Sequence, residues 1–518
     1  MTLWSDTWGQ RLGIFISTQV LTATITLIVA YYLAHTIYCI GFHPLSKYPG
    51  PRLAVFSNLW WAYASTSGRY PWIIASVLRK YGDVVRIAPN ELVFLTPRAA
   101  KDIYLAQEKN LELFVQVGYD ALDTGDNGIS GEPDPVKHRE IAKKLAPAFS
   151  TRNLKAKEAT VNKHFDFFIN KMKSLGADKK GVDMRSWSDW LALDLSADMT
   201  CGRDMGQMRD IKDSILLSTT PKLNLFVAAS QLTRKFRLFT VLQYLTIPPS
   251  VWFALPKLIK LNTEDVRARI ERRDKIEHLD YFEQLLPADK PVPDDKKVIF
   301  HLENIAAQVL LASWQPLANQ FYSLILFLLK EPAAYTALVK EIRGAFAEYG
   351  AIDMEAVTSL KYLNGCVQES LRLHQETTDG LPRISPGAVV DGEYIPKGVT
   401  CQISYFAAAR SPQYFTDPLK FCPERWLPSG HPQFDSKYAS DELKASKPFS
   451  QGLRGCPGGA IAVSLIRLFI ARVLWEFDLE AVEGQEDLSF EKDFKFYAYW
   501  DRPSFWVRFK PAHRMRNH

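Results

Sequence analysis

Residues 447–477 read KPFSQGLRGCPGGAIAVSLIRLFIARVLWEF, a glycine-rich loop that runs without interruption into an apolar helical segment. The junction falls at Cys456-Pro457. Proline suits the first position of a helix, because its missing N–H is one of the donors left unpaired there in any case. The free N–H groups of that first turn can donate to an anion at the junction. A cysteine in this position is expected to have a lowered pKa and to bind a soft metal as its thiolate. Gly452 permits the tight turn before it, and Gly458 removes a Cβ where a flat ligand must approach the backbone. Arg454 offers a two-pronged donor for a carboxylate.

The rest of the chain reads as one packed body around this segment. Its 518 residues are 47% hydrophobic and 23% charged, with 13 tryptophans and 30 prolines, which is the composition of an ordered fold. No Gly/Ser-rich linker or repeat divides the middle. The net charge of +6 is spread along the chain, without the dense basic stripe that a nucleic-acid groove needs; an acidic protein partner or an anionic membrane surface fits better. Cys39, Cys201, Cys366, Cys401, Cys422 and Cys456 are scattered and form no CxxC pair, which points to a reducing compartment without disulfides. All but Cys456 are expected to be small buried hydrophobes.

Local patterns supply the fold class. YGDVVRIAPNELVFLTP (81–97) alternates Val85 and Ile87 with Leu92 and Phe94 around a Pro-Asn turn, the pattern of a hairpin, and short strands return in VVDGEYIPKGVTCQIS (389–404). HREIAKKLAPAF (138–149), ATVNKHFDFFINKM (159–172), ENIAAQVLLASW (303–314), YSLILFLLK (322–330) and VQESLRL (367–373) have helical period. The expected fold is mainly α with a minor antiparallel β-sheet.

Phe449, Gly452, Arg454, Cys456 and Gly458 together match the FxxGxRxCxG haem-binding signature, and the chain resembles the cytochrome P450 family. HPLSKYPGPRLA (43–54), LPRISP (381–386), IPKGVT (395–400) and DPLKFCPERWLP (417–428) resemble microsomal fungal members, similar to secondary-metabolism enzymes such as the isotrichodermin hydroxylase group. The resemblance implies haem b with Cys456 as the axial ligand of its iron, Arg454 as a propionate partner and Phe449 shielding the sulfur. It makes Arg383 a second propionate candidate and His138 another, although the family's usual tryptophan near His138 is absent.

Glu369 and Arg372 stand three apart in QESLRLH (368–374) and can pair on one helical face. Glu264 and Arg267 share that spacing but read as a solvated face. The order ExxR, PERW, haem loop is the family's, so the resemblance implies a structural network of Glu369, Arg372 and Arg425. His138, His164 and His374 form no metal set and read as surface groups or groups behind the site.

The resemblance also bears on one oddity, Pro316 inside LLASWQPLANQ (310–320), where an interior proline costs about 3 kcal/mol. Family members usually carry (A/G)Gx(D/E)T in the long central helix, an acid and an alcohol that pass protons to the oxygen side. Alignment through FLLKEP (327–332) puts Ala312 and Ser313 at the first two places, Gln315 at the acid and Pro316 at the alcohol. A carboxamide does not titrate and proline has no donor.

The implied activity is oxidation of a hydrophobic secondary metabolite, a polyketide, terpenoid or hybrid, by dioxygen and electrons from an NADPH-cytochrome P450 reductase. Water, Ser313 or a substrate hydroxyl would supply the protons. The altered pair leaves two alternatives: desaturation, ring expansion or skeletal rearrangement without net oxygen insertion, or a non-catalytic haem protein. Phe226, Trp314, Phe321 and the loop QETTDG (375–380) are expected to line the substrate pocket, and the protein is expected to be a monomer.

From Leu12 to Ser46 there is no Asp, Glu, Lys or Arg. Residues 12–34 are long enough to cross a bilayer, which takes about 20 residues, and too long for the apolar core of a cleaved signal. Lys47 and Arg52 follow, which puts the body on the cytoplasmic side. The expected organisation is a short lumenal N-terminus (1–11), a single transmembrane anchor (12–34), a linker and Pro-rich hinge (35–52) and a haem-binding catalytic domain (53–518) on the cytosolic face of the endoplasmic reticulum.

Overall fold

The helix Lys296–Lys330 runs through the largest core among the described residues, and packs there against several other helices. The computed structural model describes residues 5–118, 126–236, 239–272, 280–286, 291–378 and 380–512. From Leu317 to Leu328 every residue of this helix is closed to solvent, as expected of a helix that is apolar on all sides. Two others pack against it. Met184–Cys201 is buried from Trp187 to its end, where Gly202 stops it in the left-handed conformation. Gly459–Glu476 brings Phe469 to 4.2 Å from Phe321.

Pro316 does not break the central helix, which continues on both sides of it. The Ser313 hydroxyl turns back to the carbonyls of Val309 and Leu310, at 2.7 and 3.2 Å. Beyond the proline, Arg502 donates to the Ala318 carbonyl at 2.9 Å and to Asp189 Oδ1 at 2.6 Å. A buried guanidinium therefore ties the turn after the proline to the helix Met184–Cys201.

Five short strands make the larger sheet. They are β1 (Val84–Ala88), β2 (Glu91–Phe94), β3 (Val115–Gln116), β4 (Arg383–Ile384) and β5 (Thr400–Ile403), in the spatial order β1-β2-β5-β4-β3. The hairpin β1-β2 forms as its alternation predicts. Most pairings are antiparallel, and β5 runs parallel to β2. This order sets Arg383 opposite Gln116. A second sheet joins Phe477–Ala481, Trp506–Pro511 and Val182–Asp183.

At the N-terminus the helix Ser5–Ile37 passes into a π-helical turn, Tyr38–Phe42. Gln19–Phe42 has a mean hydropathy of 1.7, and its most apolar stretch is not buried at all, so this segment is long and apolar enough to cross a membrane. Its end is fastened to the sheet. Arg86, wholly buried on β1, donates to the Cys39 carbonyl at 2.9 Å, and its own N–H reaches the Pro49 carbonyl at 2.8 Å. A Cβ on Gly50 would run into the Arg86 carbonyl, so the turn Pro49-Gly50-Pro51 is held by close backbone contact as well as by proline stiffness.

Candidate active site

Five of the six cysteines are buried, and Cys456 is exposed. Its N–H donates to the Phe449 carbonyl at 2.9 Å, which closes the loop beneath it. The helix that follows begins at Gly459 with Gly458 as its cap, so Pro457 lies just before the cap and not at the first helical position. The N–H groups of Gly458 and Gly459 are aimed at the sulfur and lower its pKa, yet the protein packed around this solvent-reachable thiol removes enough water to outweigh them, and it ends above its ordinary value. The expectation of a lowered pKa is corrected for the protein alone: two amide dipoles do not match the desolvation cost without a cation. A bound metal ion supplies the missing charge and deprotonates a coordinating thiol outright.

The loop around the sulfur is cut to admit something flat. A Cβ on Gly458 would stand 3.9 Å from both Cys456 Sγ and the Phe149 ring, and one on Gly459 would press on the Phe449 ring at 3.0 Å. Gly452 has φ +80°, and a side chain there would collide with the Tyr104 carbonyl.

The predicted propionate partners come together from three distant parts of the chain. Arg454 donates to Glu112 Oε1 at 2.5 Å, to Gln116 Oε1 at 3.2 Å and to the Glu132 and Pro133 carbonyls at 2.5 and 3.3 Å. Arg383, opposite Gln116 across the strands, lies over the Tyr104 ring and donates to the Leu381 carbonyl at 2.7 Å. His138 is on the helix Pro135–Leu145, which starts just after the carbonyls that hold Arg454. Burial and the charges of Arg454 and Arg383 push its pKa down to about 4, against the pull of Glu112. Two arginines and a neutral imidazole with one carboxylate among them fit a ligand that carries two carboxylates. Together with the exposed thiol and the glycine cradle, this set fits haem.

Glu369, Arg372 and Arg425 form the expected network, and its reach is wider than the motif. Arg372 holds both Glu369 oxygens at 2.7 and 2.8 Å, and Arg425 Nε adds a third contact at 3.0 Å. The Cys422 N–H at 3.0 Å and the Trp426 indole at 2.8 Å complete the shell around this carboxylate. Burial pushes the Glu369 carboxyl up, but the two arginines and these donors overcome it and hold the pKa below the usual value. Arg425 also pairs with Asp441, at the entrance to the cysteine loop. Glu112, Gln116, Trp426 and Asp441 were not legible as site residues; only Trp426, adjacent to Arg425, carried a local signal.

The central helix supplies another wall. Between its closed turns Ala312 is exposed, and Leu311, Ser313, Gln315 and Pro316 are half-buried, so this stretch is not sealed by packing against its neighbours. Gln308, one turn earlier, accepts from the Ile129 and Ser130 N–H groups at 2.8 and 3.0 Å, and the Ser130 carbonyl accepts from Gln116 at 2.7 Å. Since Gln116 also binds Arg454, hydrogen bonds run continuously from the cysteine loop to this helix.

Other expected pocket residues are placed differently. Trp314 and Phe321 are buried in the core, because helical rotation turns them away from the exposed Ala312 face. Phe226 is half-buried, 6.1 Å from Tyr244. In the 375–380 loop Glu376 reaches Asn319, while Asp379 lies outside the described residues. His138, His164 and His374 are all buried; none is a surface group, and His164 is held by Asp198 at 2.8 Å. Glu264 and Arg267 are exposed, as expected of a solvated face.

Comparison with known proteins gives one consistent result. The sequence model of the family described as Cytochrome P450 matches residues 48–498. The chain is 44% identical over 494 residues to cytochrome P450 monooxygenase TwmD of Talaromyces wortmannii, covering 95% of this chain and 96% of that protein. It is 34% identical over 483 residues to cytochrome P450 monooxygenase poxC of Penicillium oxalicum, covering 93% of each. With cytochrome P450 monooxygenase btcC of Colletotrichum orbiculare it shares 33% identity over 501 residues, covering 95% and 94%. These relatives are fungal cytochrome P450 monooxygenases, and none of the three names specifies an isotrichodermin hydroxylase.

Proposed function

Because the chain belongs to the cytochrome P450 family and is therefore a haem-thiolate monooxygenase, we propose that it oxidises a hydrophobic secondary metabolite in a fungal biosynthetic pathway. The observation that carries this reading is the cysteine loop, in which the exposed Cys456 faces the amides of Gly458 and Gly459. Cys456 would ligate the iron of haem b, and Arg454, Arg383 and His138 would hold the propionates. The haem, when bound, supplies the activation of dioxygen with electrons from an NADPH-cytochrome P450 reductase. Phe449 covers the cysteine loop, and the Glu369 network keeps that loop in place while the substrate enters on the Ala312 side. A finer placement beside the isotrichodermin hydroxylases rests only on the sequence segments quoted above.

Gln315 and Pro316 favour a second reading, in which hydrogen removal ends in desaturation, ring expansion or rearrangement without net oxygen insertion. In both, the helix Ser5–Ile37 anchors the protein in the endoplasmic reticulum membrane with the body facing the cytosol, where Lys47 and Arg52 follow the apolar segment. A polyketide, terpenoid or hybrid scaffold partitions into that membrane and reaches the pocket from it.

The test is an assay of microsomes containing the full-length chain and a reductase, supplied with NADPH, labelled dioxygen and candidate pathway intermediates. Label in the product is expected for oxygen insertion, and turnover without label for rearrangement or desaturation. A haem-loaded protein that consumes no NADPH under any of these conditions would instead be a non-catalytic haem protein, and the enzymatic reading would fall.

A further inference from the structure

One turn beyond the open stretch of the central helix, an amide on that helix holds a partly accessible carboxyl that the haem-holding groups do not use. Asn319 comes four residues after Gln315 and three after Pro316, so it lies one turn further along the face on which these two replace the usual acid and alcohol. Asn319 Nδ2 donates to both oxygens of Glu376, at 2.9 and 3.1 Å. Behind the carboxyl, His374 Nε2 stands 3.6 Å from Glu376 Oε1, and His374 Nδ1 faces Ser323 Oγ at 2.5 Å.

The supporting groups are closed and the carboxyl is open. Asn319, Ser323 and His374 have no exposure, whereas the Glu376 side chain keeps 24% of its surface accessible although protein surrounds it. Two buried atoms in this group have no hydrogen-bond partner, Asn319 Oδ1 and His374 Nε2. The site is therefore built to hold one more polar species, such as a water molecule or a substrate hydroxyl, beside the carboxyl.

We propose that Glu376, presented by Asn319, is the proton donor of the active-site space and takes the part that Gln315 and Pro316 cannot play. This rests on the haem-thiolate reading. The charged and titratable groups that face Glu376 are Arg502, whose guanidinium is engaged with Asp189 and the Ala318 carbonyl, and His374. Burial, with the charges of Arg502 and Arg410, holds His374 well below its ordinary pKa, so it stays neutral. Burial pushes the Glu376 carboxyl up to about 8, against the Asn319 hydrogen bond and the Arg502 charge, so at neutral pH it carries its proton.

In the step itself the O–H bond of Glu376 breaks and the proton passes to water or to an oxygen of the reacting species in the space. The electron pair stays on the carboxylate, which Asn319 Nδ2 and the field of Arg502 hold until water returns a proton. The residue is neither oxidised nor reduced.

The test uses the full-length, haem-loaded protein with its reductase in phospholipid vesicles. Infrared difference spectra between pH 6 and pH 10 are expected to show a protonated carboxyl C=O band that disappears with a midpoint near 8 and is missing from Glu376→Gln. NADPH-driven dioxygen consumption is expected to fall in the wild type as pH rises through that midpoint. In Glu376→Gln it should be lower by about tenfold or more, and flat with pH, because a positioned acid contributes that much or more. Glu376→Asp should restore part of the rate.

A midpoint in the ordinary carboxylate range, or a Glu376→Gln variant with the wild-type rate and pH profile, overturns the proposal. If Glu376→Gln does not accumulate, Asn319→Ala replaces it: loss of the amide that favours the charged form should move the midpoint further up, and an unmoved midpoint overturns the proposal. The carbon-monoxide difference spectrum separates the two levels. An intact thiolate-type spectrum beside a negative result removes Glu376 alone, whereas its absence from the wild type removes the underlying haem-thiolate reading.

Discussion

Glu369 and Arg425, 56 residues apart in the chain, meet at 3.0 Å in a place from which solvent is excluded on both sides. With Arg372 on both oxygens, this carboxylate joins the helix Lys361–Leu373 to the segment that leads, through Asp441, into the cysteine loop. A pair so deeply buried is worth little compared with an apolar replacement of the whole group, but removal of one member leaves an uncompensated charge in the interior.

Glu369→Ala is therefore expected to cost about 3–5 kcal/mol, by leaving Arg372 and Arg425 unpaired. Thermal unfolding and the haem content of the purified protein check it. A variant that loads haem at the wild-type level would show that the network does not hold the loop.

Cys456→Ser replaces the exposed sulfur by a harder and much less polarisable donor. The carbon-monoxide band near 450 nm that the family implies is expected to disappear, while the glycine cradle and Arg454 leave the loop folded. Circular dichroism together with the difference spectrum separates loss of the ligand from loss of the fold.

Pro316→Ala restores one helical N–H. The interior proline costs about 3 kcal/mol in an unconstrained helix. Here the Ser313 back-bond and the Arg502 clamp already support the neighbouring turns, so a gain of about 1–2 kcal/mol in thermal stability is expected. If the variant is less stable than the wild type, the surrounding structure requires the bend.

Glu376 makes stability depend on pH in a direction opposite to that of an ordinary ion-paired carboxylate. Its folded pKa of about 8 lies above the reference value of 4.5. Between these values the folded chain holds a proton that the unfolded chain has lost, so stability falls as pH rises from the lower to the upper one and is level beyond. Glu376→Gln lacks this dependence. Its stability relative to the wild type is expected to improve by a few kcal/mol between pH 5 and pH 9, at ~1.36 kcal/mol per pKa unit, as read from denaturant midpoints at the two pH values.

Removal of residues 1–42 takes away the exposed apolar segment and the Cys39 carbonyl that Arg86 binds. The truncated protein is expected to leave the membrane fraction on carbonate washing and to lose about 1–3 kcal/mol from the Arg86 Nη1 donor left without its partner, while Nε and Nη2 keep the Pro89 carbonyl. A truncated chain that still sediments with membranes would show a second attachment.

Much of the site was legible because its signals are local. The spacing from Phe449 to Gly458 places a thiol, an arginine and the two glycines Gly452 and Gly458 within ten residues, and the structure puts them in one loop. Glu369 and Arg372 are three apart on a helix, so their pairing follows from helical geometry alone. The direction of the Cys456 pKa was not legible, since it depends on how completely the sulfur is desolvated. Nor was the orientation of Trp314 and Phe321, which is set by the packing of the central helix against Met184–Cys201 and Gly459–Glu476.

By itself the sequence determined the helical class, the hairpin of β1 and β2, the apolar N-terminal helix and the glycine-rich cysteine loop, because each depends on residues that are neighbours along the chain. Tertiary structure alone decided which polar groups far apart in the chain meet outside those motifs. Glu112 reaches Arg454 from 342 residues away, Asp189 reaches Arg502 from 313, and Asn319 presents Glu376 across 57. Such pairs have no spacing rule to betray them. Their consequences arise because the interior removes water, so that a carboxyl beside two arginines stays charged at Glu369 while one beside an amide stays protonated at Glu376.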